Sequence, residues 1–276
     1  MKNILTIITL LPTLLCAQEW KAGDWPVLRH YDQQHLYQIA LPLGGIGTGT
    51  VSLGGRGELR DWEIMNVPGK KYSTVTTGNN APFFAIYTKP EKGEAQTTLL
   101  AGALYDQEYL HYEGRPVNHH GLPRFKNSSF DAAYPFGQVH LSDKEIPVEV
   151  TVKGFNPLVP GDAEASGIPI AVLCYEVTNT SQTPVDVSIC GSIRNFIGKD
   201  GSKFVTDWKG DYIPVGCKDN RNIYKSAQGL QGIYFCSEGV EKTDPAYGNM
   251  TLVTNAPEVS PIGLPRKLTA GATVFW

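Results

Sequence analysis

Two carboxylate pairs and three histidines have residue types and spacings that could do chemistry. Asp61 and Glu63 stand two residues apart, as do Asp162 and Glu164. Hydrolysis of an acetal by acid–base chemistry needs two carboxyl groups on opposite sides of the scissile bond, roughly 5–10 Å apart according to mechanism. In a strand, a spacing of two puts Asp61 and Glu63 on one face as neighbours. That arrangement grips a bond poorly from two sides. The plainer reading is a solvated or ion-paired face served by Arg56 or Arg60. Asp162 and Glu164 lie between Gly161 and Gly167, where Asp and Gly suit a turn for backbone reasons alone. His111, His119 and His120 carry the commonest metal-ligating ring. Adjacent histidines in a loop lack a defined ligand geometry, so hydrogen-bonded loop residues are expected and no metal site is assigned. No Ser or Cys sits in a nucleophile-elbow context, and no C-x-x-C or zinc spacing occurs.

The elements that would position these groups start at a glycine-rich stretch. Seven of the seventeen residues 41–57 are glycine. The spacing fits neither a dinucleotide fingerprint nor a phosphate loop. From Gly45 or Gly47 the last position of G-x-G-x-x-G falls on Thr50 or Ser52, and no Lys-Ser or Lys-Thr follows a G-x-x-x-x-G. The intervening Ile46, Thr48, Thr50, Val51 and Leu53 are strand formers. The stretch therefore predicts two strands, roughly Gly45 to Leu53 and Gly57 to Asn66, turning at Gly54-Gly55, with the glycines allowing close packing.

These same residues carry a family resemblance. Gly44-Gly45-Ile46-Gly47-Thr48-Gly49-Thr50, then Gly54-Gly55-Arg56-Gly57-Glu58-Leu59-Arg60-Asp61-Trp62-Glu63-Ile64-Met65-Asn66, resembles the opening of glycoside hydrolase family one hundred and sixteen. So does a second block, Phe155-Asn156-Pro157-Leu158-Val159-Pro160-Gly161-Asp162 with Ser166-Gly167-Ile168-Pro169-Ile170-Ala171-Val172-Leu173. The family includes non-lysosomal glucosylceramidases (bile-acid β-glucosidases) and bacterial β-glucosidases and β-xylosidases. The resemblance spans roughly Leu36 to Trp276 and covers the family's amino-terminal domain. It implies a supersandwich-like β domain that precedes a helical (α/α)-barrel domain holding both catalytic carboxyl groups. That barrel is not in this sequence, so no catalytic residue is carried onto it and the chain alone is expected to be inactive. The implied partners are the barrel of the same polypeptide and, through it, a β-glycoside; no cofactor is implied. Arg56, Asp61 and Trp208 are the candidates for lining the cleft or touching the other domain. Trp62 alternates with Ile64 and reads as core. Trp208, in Thr206-Asp207-Trp208-Lys209-Gly210, reads as loop-borne and is the best candidate for contact with a sugar ring or a partner domain.

Composition fits this picture. The chain has 276 residues, 41% hydrophobic and 18% charged, with a net charge of −3. That is long enough to bury a core without metal or disulfide support, and the charge attracts neither nucleic acid nor an anionic membrane. Residues 1–17 read as a signal peptide. Lys2 gives a positive start, Ile4 to Leu15 an uncharged apolar run, and Leu15-Cys16-Ala17 a cleavage site before Gln18. The protein is expected to be exported to the periplasm or beyond. Lipidation of Cys16 is the alternative, made less favourable by the bulky Leu15. No later stretch is long and apolar enough to span a membrane.

Short strands punctuated by Gly, Pro and Asn, with no sustained 3.6-residue periodicity, predict an all-β antiparallel sandwich over residues 18–276. Ile146, Val148, Val150 and Val152 alternate with Pro147, Glu149, Thr151 and Lys153, the period of a half-buried strand. Further strands are expected at Ala81 to Thr88, Gln96 to Ala101, Gly137 to Leu141, Gly229 to Ser237, Asn249 to Thr254 and Gly271 to Trp276. Tyr105 to Phe136 reads as a long irregular loop, and Phe196 to Asn222 as loop-rich. Ile168 to Thr178 and Val185 to Asn195 read as a hairpin. Its strands would put Cys174 and Cys190 opposite each other as a possible disulfide, or bury both as small hydrophobes. The apolar ending Val274-Phe275-Trp276 suggests truncation at or near the domain's end. The competing expectation is a free-standing secreted carbohydrate-binding or surface sandwich.

Overall fold

A computed structural model describes residues 29–64, 81–109, 119, 121–199, 203–206, 208, 210, 212–263 and 271–275. The leader 1–17, Trp20, Trp25, His111 and His120 lie outside the described residues. In chain order the strands are β1 (Arg29–Tyr31), β2 (Ala40–Leu43), β3 (Thr50–Gly54), β4 (Leu59–Glu63), β5 (Phe83–Pro90), β6 (Gln96–Gly102), β7 (Arg124–Phe125), β8 (Asn127–Ala133), β9 (Phe136–Ser142) and β10 (Val148–Phe155). They continue as β11 (Val172–Asn179), β12 (Val185–Arg194), β13 (Phe204–Thr206), β14 (Tyr212–Pro214), β15 (Asn220–Ala227), β16 (Leu230–Ser237), β17 (Met250–Thr254), β18 (Ser260–Gly263) and β19 (Gly271–Phe275). The helices described are single turns, α1 (Asp106–Tyr109), α2 (Ala163–Ser166) and a 3₁₀ turn at Gln33–His35. The all-β antiparallel architecture is as expected.

Two sheets form the sandwich, in the orders β1-β8-β9-β10-β11 and β18-β19-β12-β5-β6-β7. Every pairing in them is antiparallel except β6 with β7. The alternation read in β10 is the reason it works as a central strand. Val148, Val150 and Val152 are at most 1% exposed and face inward, while Glu149 faces solvent. They meet Phe130, Val139 and Leu141 from their own sheet and Ile86, Leu100 and Ile189 from the opposite one. The three-stranded β2-β3-β4 sheet closes one side of this core with Leu41, Leu43 and Leu53. A second cluster of Trp62, Ile193, Phe196, Ile197, Ile233 and Phe235 seats the β15-β16-β17 sheet beyond the end of β12. Asn195 locks that join. Its amide donates to the Arg221 and Cys236 carbonyls, and its carbonyl accepts from the Ile197 N–H.

Four sequence expectations are corrected. Residues 45–49 are a loop, and the first glycine-rich strand begins only at Thr50. The long loop at Tyr105 to Phe136 contains β7 and β8, and β8 is a full member of the first sheet between β1 and β9. The loop-rich region 196–222 contains β13, β14 and the start of β15. The hairpin is not formed. β11 pairs with β10 in one sheet and β12 with β5 and β19 in the other. Residues 180–184 therefore arch between sheets, because each strand has its own apolar face to bury. Cys174 and Cys190 accordingly stand as free thiols, as do Cys217 and Cys236.

Burial pushes the Cys190 thiol up to about 11, whereas Cys174 is exposed. The thiolate is the reactive form. Iodoacetamide at mildly alkaline pH should therefore modify Cys174 first, with Cys190 at least about tenfold slower. Peptide mass spectrometry reads this directly, and the intact mass should be the same before and after reduction.

Candidate functional site

Arg56 sits in the β3–β4 turn, where the Gly54 N–H donates to the Glu58 carbonyl and the Gly57 N–H to the Gly54 carbonyl. Its side chain is buried and points across the domain, not out of it. Both of its terminal nitrogens donate to Glu108 of α1, Nη1 to Oε2 and Nη2 to Oε1 at 2.9 Å, while Nη2 also reaches Glu58 Oε1 at 3.1 Å. The guanidinium lies 5.3 Å from the centre of the Tyr105 ring. The Tyr105 hydroxyl in turn donates to the Gln33 carbonyl and accepts from the Leu36 N–H. Burial alone would favour a neutral Arg56, but the charges of Glu58 and Glu108 outweigh it and hold the group firmly protonated. Burial would likewise raise the Glu58 carboxyl, and the Arg56 charge holds it below its ordinary value instead. Arg56 is therefore an internal staple joining three chain segments, with little surface left to line a cleft.

Asp61 and Glu63 do not share a regular strand face. The β3–β4 register shifts, with Thr50 opposite Glu63 and Ser52 opposite Arg60, so Asp61 and Trp62 together face the single residue Val51. This is a bulge. Asp61 takes a left-handed φ of +49° there, and both it and Trp62 are buried. Arg60 ties the bulge in place, its Nε donating to Asp61 Oδ1 at 3.4 Å and its Nη1 to the Tyr37 carbonyl at 2.8 Å. The alternation that would pair two carboxylates is broken at the residue concerned. Trp62 is core, as read, packed edge-on against Phe196.

Asp162 and Glu164 stand in different settings. Asp162 Oδ1 accepts from the Ala165 N–H at 2.9 Å and caps α2, while Glu164 is exposed. His119 is a hydrogen-bonded loop residue, its Nε2 donating to the Ala81 carbonyl and its ring packed on Phe83. Trp208 lies between β13 and β14 and is 89% exposed, with Phe204 and Val205 about half exposed beside it. A separate groove of about 680 Å³ is lined by Tyr31, Tyr37, Gln34, Gln38 and His30 among others. It was not legible from sequence, because its walls come from β1 and the following turn, and no motif marks them.

The two resemblance-bearing stretches, far apart in the chain, are neighbours. The Ile46 N–H donates to the Ser166 carbonyl at 2.7 Å, and Asn156 Nδ2 donates to the Gly44 carbonyl at 2.7 Å. The site thus belongs to an antiparallel β-sandwich domain in which Asp61 sits in a bulge and Asp162 caps a turn, and whose two signature loops are hydrogen-bonded to each other. Residues 40–272 match the family model described as beta-glucosidase 2, glycosyl-hydrolase family 116 N-term. The chain belongs to that family and supplies its amino-terminal domain, which implies a separate catalytic domain.

Proposed function

We propose that this chain is the non-catalytic amino-terminal domain of an exported, retaining β-glycosidase of the β-glucosidase or glucosylceramidase type. It docks on a helical catalytic domain of the same polypeptide and shapes the approach to its cleft. The observation that carries this reading is the family match over residues 40–272. The structural roles of Asp61 and Asp162 support it, since neither stands ready as half of a catalytic pair. Export rests on the leader: Lys2, the apolar run to Leu15 and the small Ala17 before Gln18.

The test compares the full-length polypeptide with residues 18–276 on an aryl β-glucoside. The full-length protein should hydrolyse it with retention of configuration, and residues 18–276 alone should not. Turnover by the shorter chain overturns the reading. Amino-terminal sequencing of the exported protein should begin at Gln18; a lipid-modified Cys16 at the terminus would instead place it on a membrane surface.

A second reading, a free-standing glycan-binding module, draws on the exposed Trp208 and on the tyrosine-lined groove beside β1. Aromatic rings packing on pyranose faces would be its means of recognition. A glycan array probed with well-folded residues 18–276 separates the two readings, since the docking role requires no glycan affinity of the isolated domain.

A further inference from the structure

The two signature loops carry apolar side chains that the described residues of the domain leave exposed. Ile46 is 58% exposed, Val159 47%, Ile168 49% and Ile170 46%. Ile46 comes from the loop between β2 and β3, and the other three from the loop between β10 and β11. Phe136, 44% exposed, extends the face onto the start of β9, its ring 6.3 Å from that of Phe155. Loop tips in water are ordinarily polar, and a contiguous exposed apolar patch usually marks an interaction surface.

The face is built, not frayed. Besides the two hydrogen bonds that join the loops, Ser166 Oγ accepts from the Val159 N–H at 2.9 Å and donates to the Val159 carbonyl at 3.0 Å. The Ile170 N–H closes a tight turn onto the Ile168 carbonyl at 2.8 Å. The Asn156 N–H reaches back to the Pro135 carbonyl at 2.9 Å, tying in the chain just before Phe136. A Cβ on Gly45 would stand 2.5 Å from the Ile168 carbonyl oxygen, so the two backbones are in direct contact. Five apolar side chains are thus held outward by backbone that has little freedom to turn them in. The charges carried by the two loops are of one sign. Asp162 and Glu164 are exposed, and neither loop contains Lys or Arg.

We propose that this double-loop face is the surface on which the following domain of the same polypeptide docks, through an apolar patch bordered by basic side chains. The occupant is chosen by the family match, since an amino-terminal domain of this family implies a separate catalytic domain. The inference rests on the two-domain reading above and adds the surface and its complementary chemistry.

Cysteine footprinting of the full-length polypeptide tests it. Ile46→Cys and Ile168→Cys are made separately, since both positions are exposed. N-ethylmaleimide labelling of each is followed by peptide mass spectrometry in native and denatured protein. Docking predicts native labelling slower by on the order of 100-fold at both positions, as expected for sites reached only through opening of the interface. Native rates within about threefold of the denatured rates, as expected for sites that need no opening, overturn the proposal. Protection that disappears on dilution also overturns it, because the occupant is then a second copy of the chain. Hydrolysis of the aryl β-glucoside is assayed on the same samples. Fast labelling in an active enzyme removes this docking face and leaves the domain assignment standing. Slow labelling in an inactive one removes the glycosidase reading and leaves the docked face.

Discussion

Arg56→Met should destabilise the domain by about 3–5 kcal/mol, the usual cost of removing one partner from a buried ion pair. Its side chain is 7% exposed and stands between Glu108, 12% exposed, and Glu58, 27% exposed. Methionine keeps much of the packing volume but leaves two half-buried carboxylates facing each other without a cation. The loss propagates, because Glu108 also accepts from the Tyr105 N–H and Tyr105 holds the Gln33–Leu36 turn. The pH dependence has a definite sign. Against the effect of its own burial, the Glu58 carboxyl is held below its ordinary 4.5 by Arg56. Its contribution is therefore present above that value and is lost as pH falls through the lower, folded value. Without Arg56, burial raises the same carboxyl and acid becomes favourable to the variant. Urea unfolding of the two proteins should show the gap narrowing from neutral pH to about pH 4. Arg56→Lys should fall between them, keeping the charge and losing the two-pronged contact. A cost under about 1 kcal/mol, the range of exposed pairs, would mean that the staple is not a stability element.

This staple shows where sequence reading stops. Arg56 and Asp61 both lie in the stretch that carries the resemblance, and both are visible as charged residues near a turn. Nothing local says that Arg56 meets Glu108, 52 residues away, or that Asp61 occupies a bulge. The strands whose burial is one-sided were legible, β10 above all, since alternation of apolar and polar residues records a face directly. β8 was not, because Asn127-Ser128-Ser129-Phe130-Asp131-Ala132-Ala133 has little strand propensity. It is a strand because β1 and β9 flank it on both sides, and such context overrides propensity. Its partners use its polar residues, as where Asp131 accepts from His30 on β1 and His140 on β9. The arch at residues 180–184 looked like a hairpin for a related reason. Asn179 Nδ2 donates to the Thr183 carbonyl, and Asn179 Oδ1 accepts from the Ser181 N–H. These bonds make a tight polar turn whichever sheet the chain enters next.

Gly45→Ala should cost about 2–4 kcal/mol, from forced overpacking together with the loss of a backbone hydrogen bond between the loops. The added Cβ would lie 2.5 Å from the Ile168 carbonyl oxygen, 2.6 Å from the Gly167 carbonyl carbon and 2.7 Å from the Ile168 nitrogen. All three are backbone atoms, so no rotamer change relieves the contact. The loops must part, and the Ile46 N–H bond to Ser166 goes with them. Gly47 provides the contrast. It has a left-handed φ of +77° and nothing within 4 Å of the Cβ position. Gly47→Ala therefore meets conformational strain alone, about 1–2 kcal/mol, and leaves the loop contact intact. For a chain of this size each kcal/mol moves the melting temperature by roughly 2–4 °C, so the two variants are separable by thermal unfolding. They also differ in reach. Parting the loops tilts Ile46 away from Ile168 and breaks the continuity of the apolar face. In the full-length polypeptide Gly45→Ala should therefore speed maleimide labelling of Ile168→Cys, and Gly47→Ala should not. Equal costs and equal labelling for the two alanines would mean that the loops do not share a face, and the docking surface would lose its rigid base.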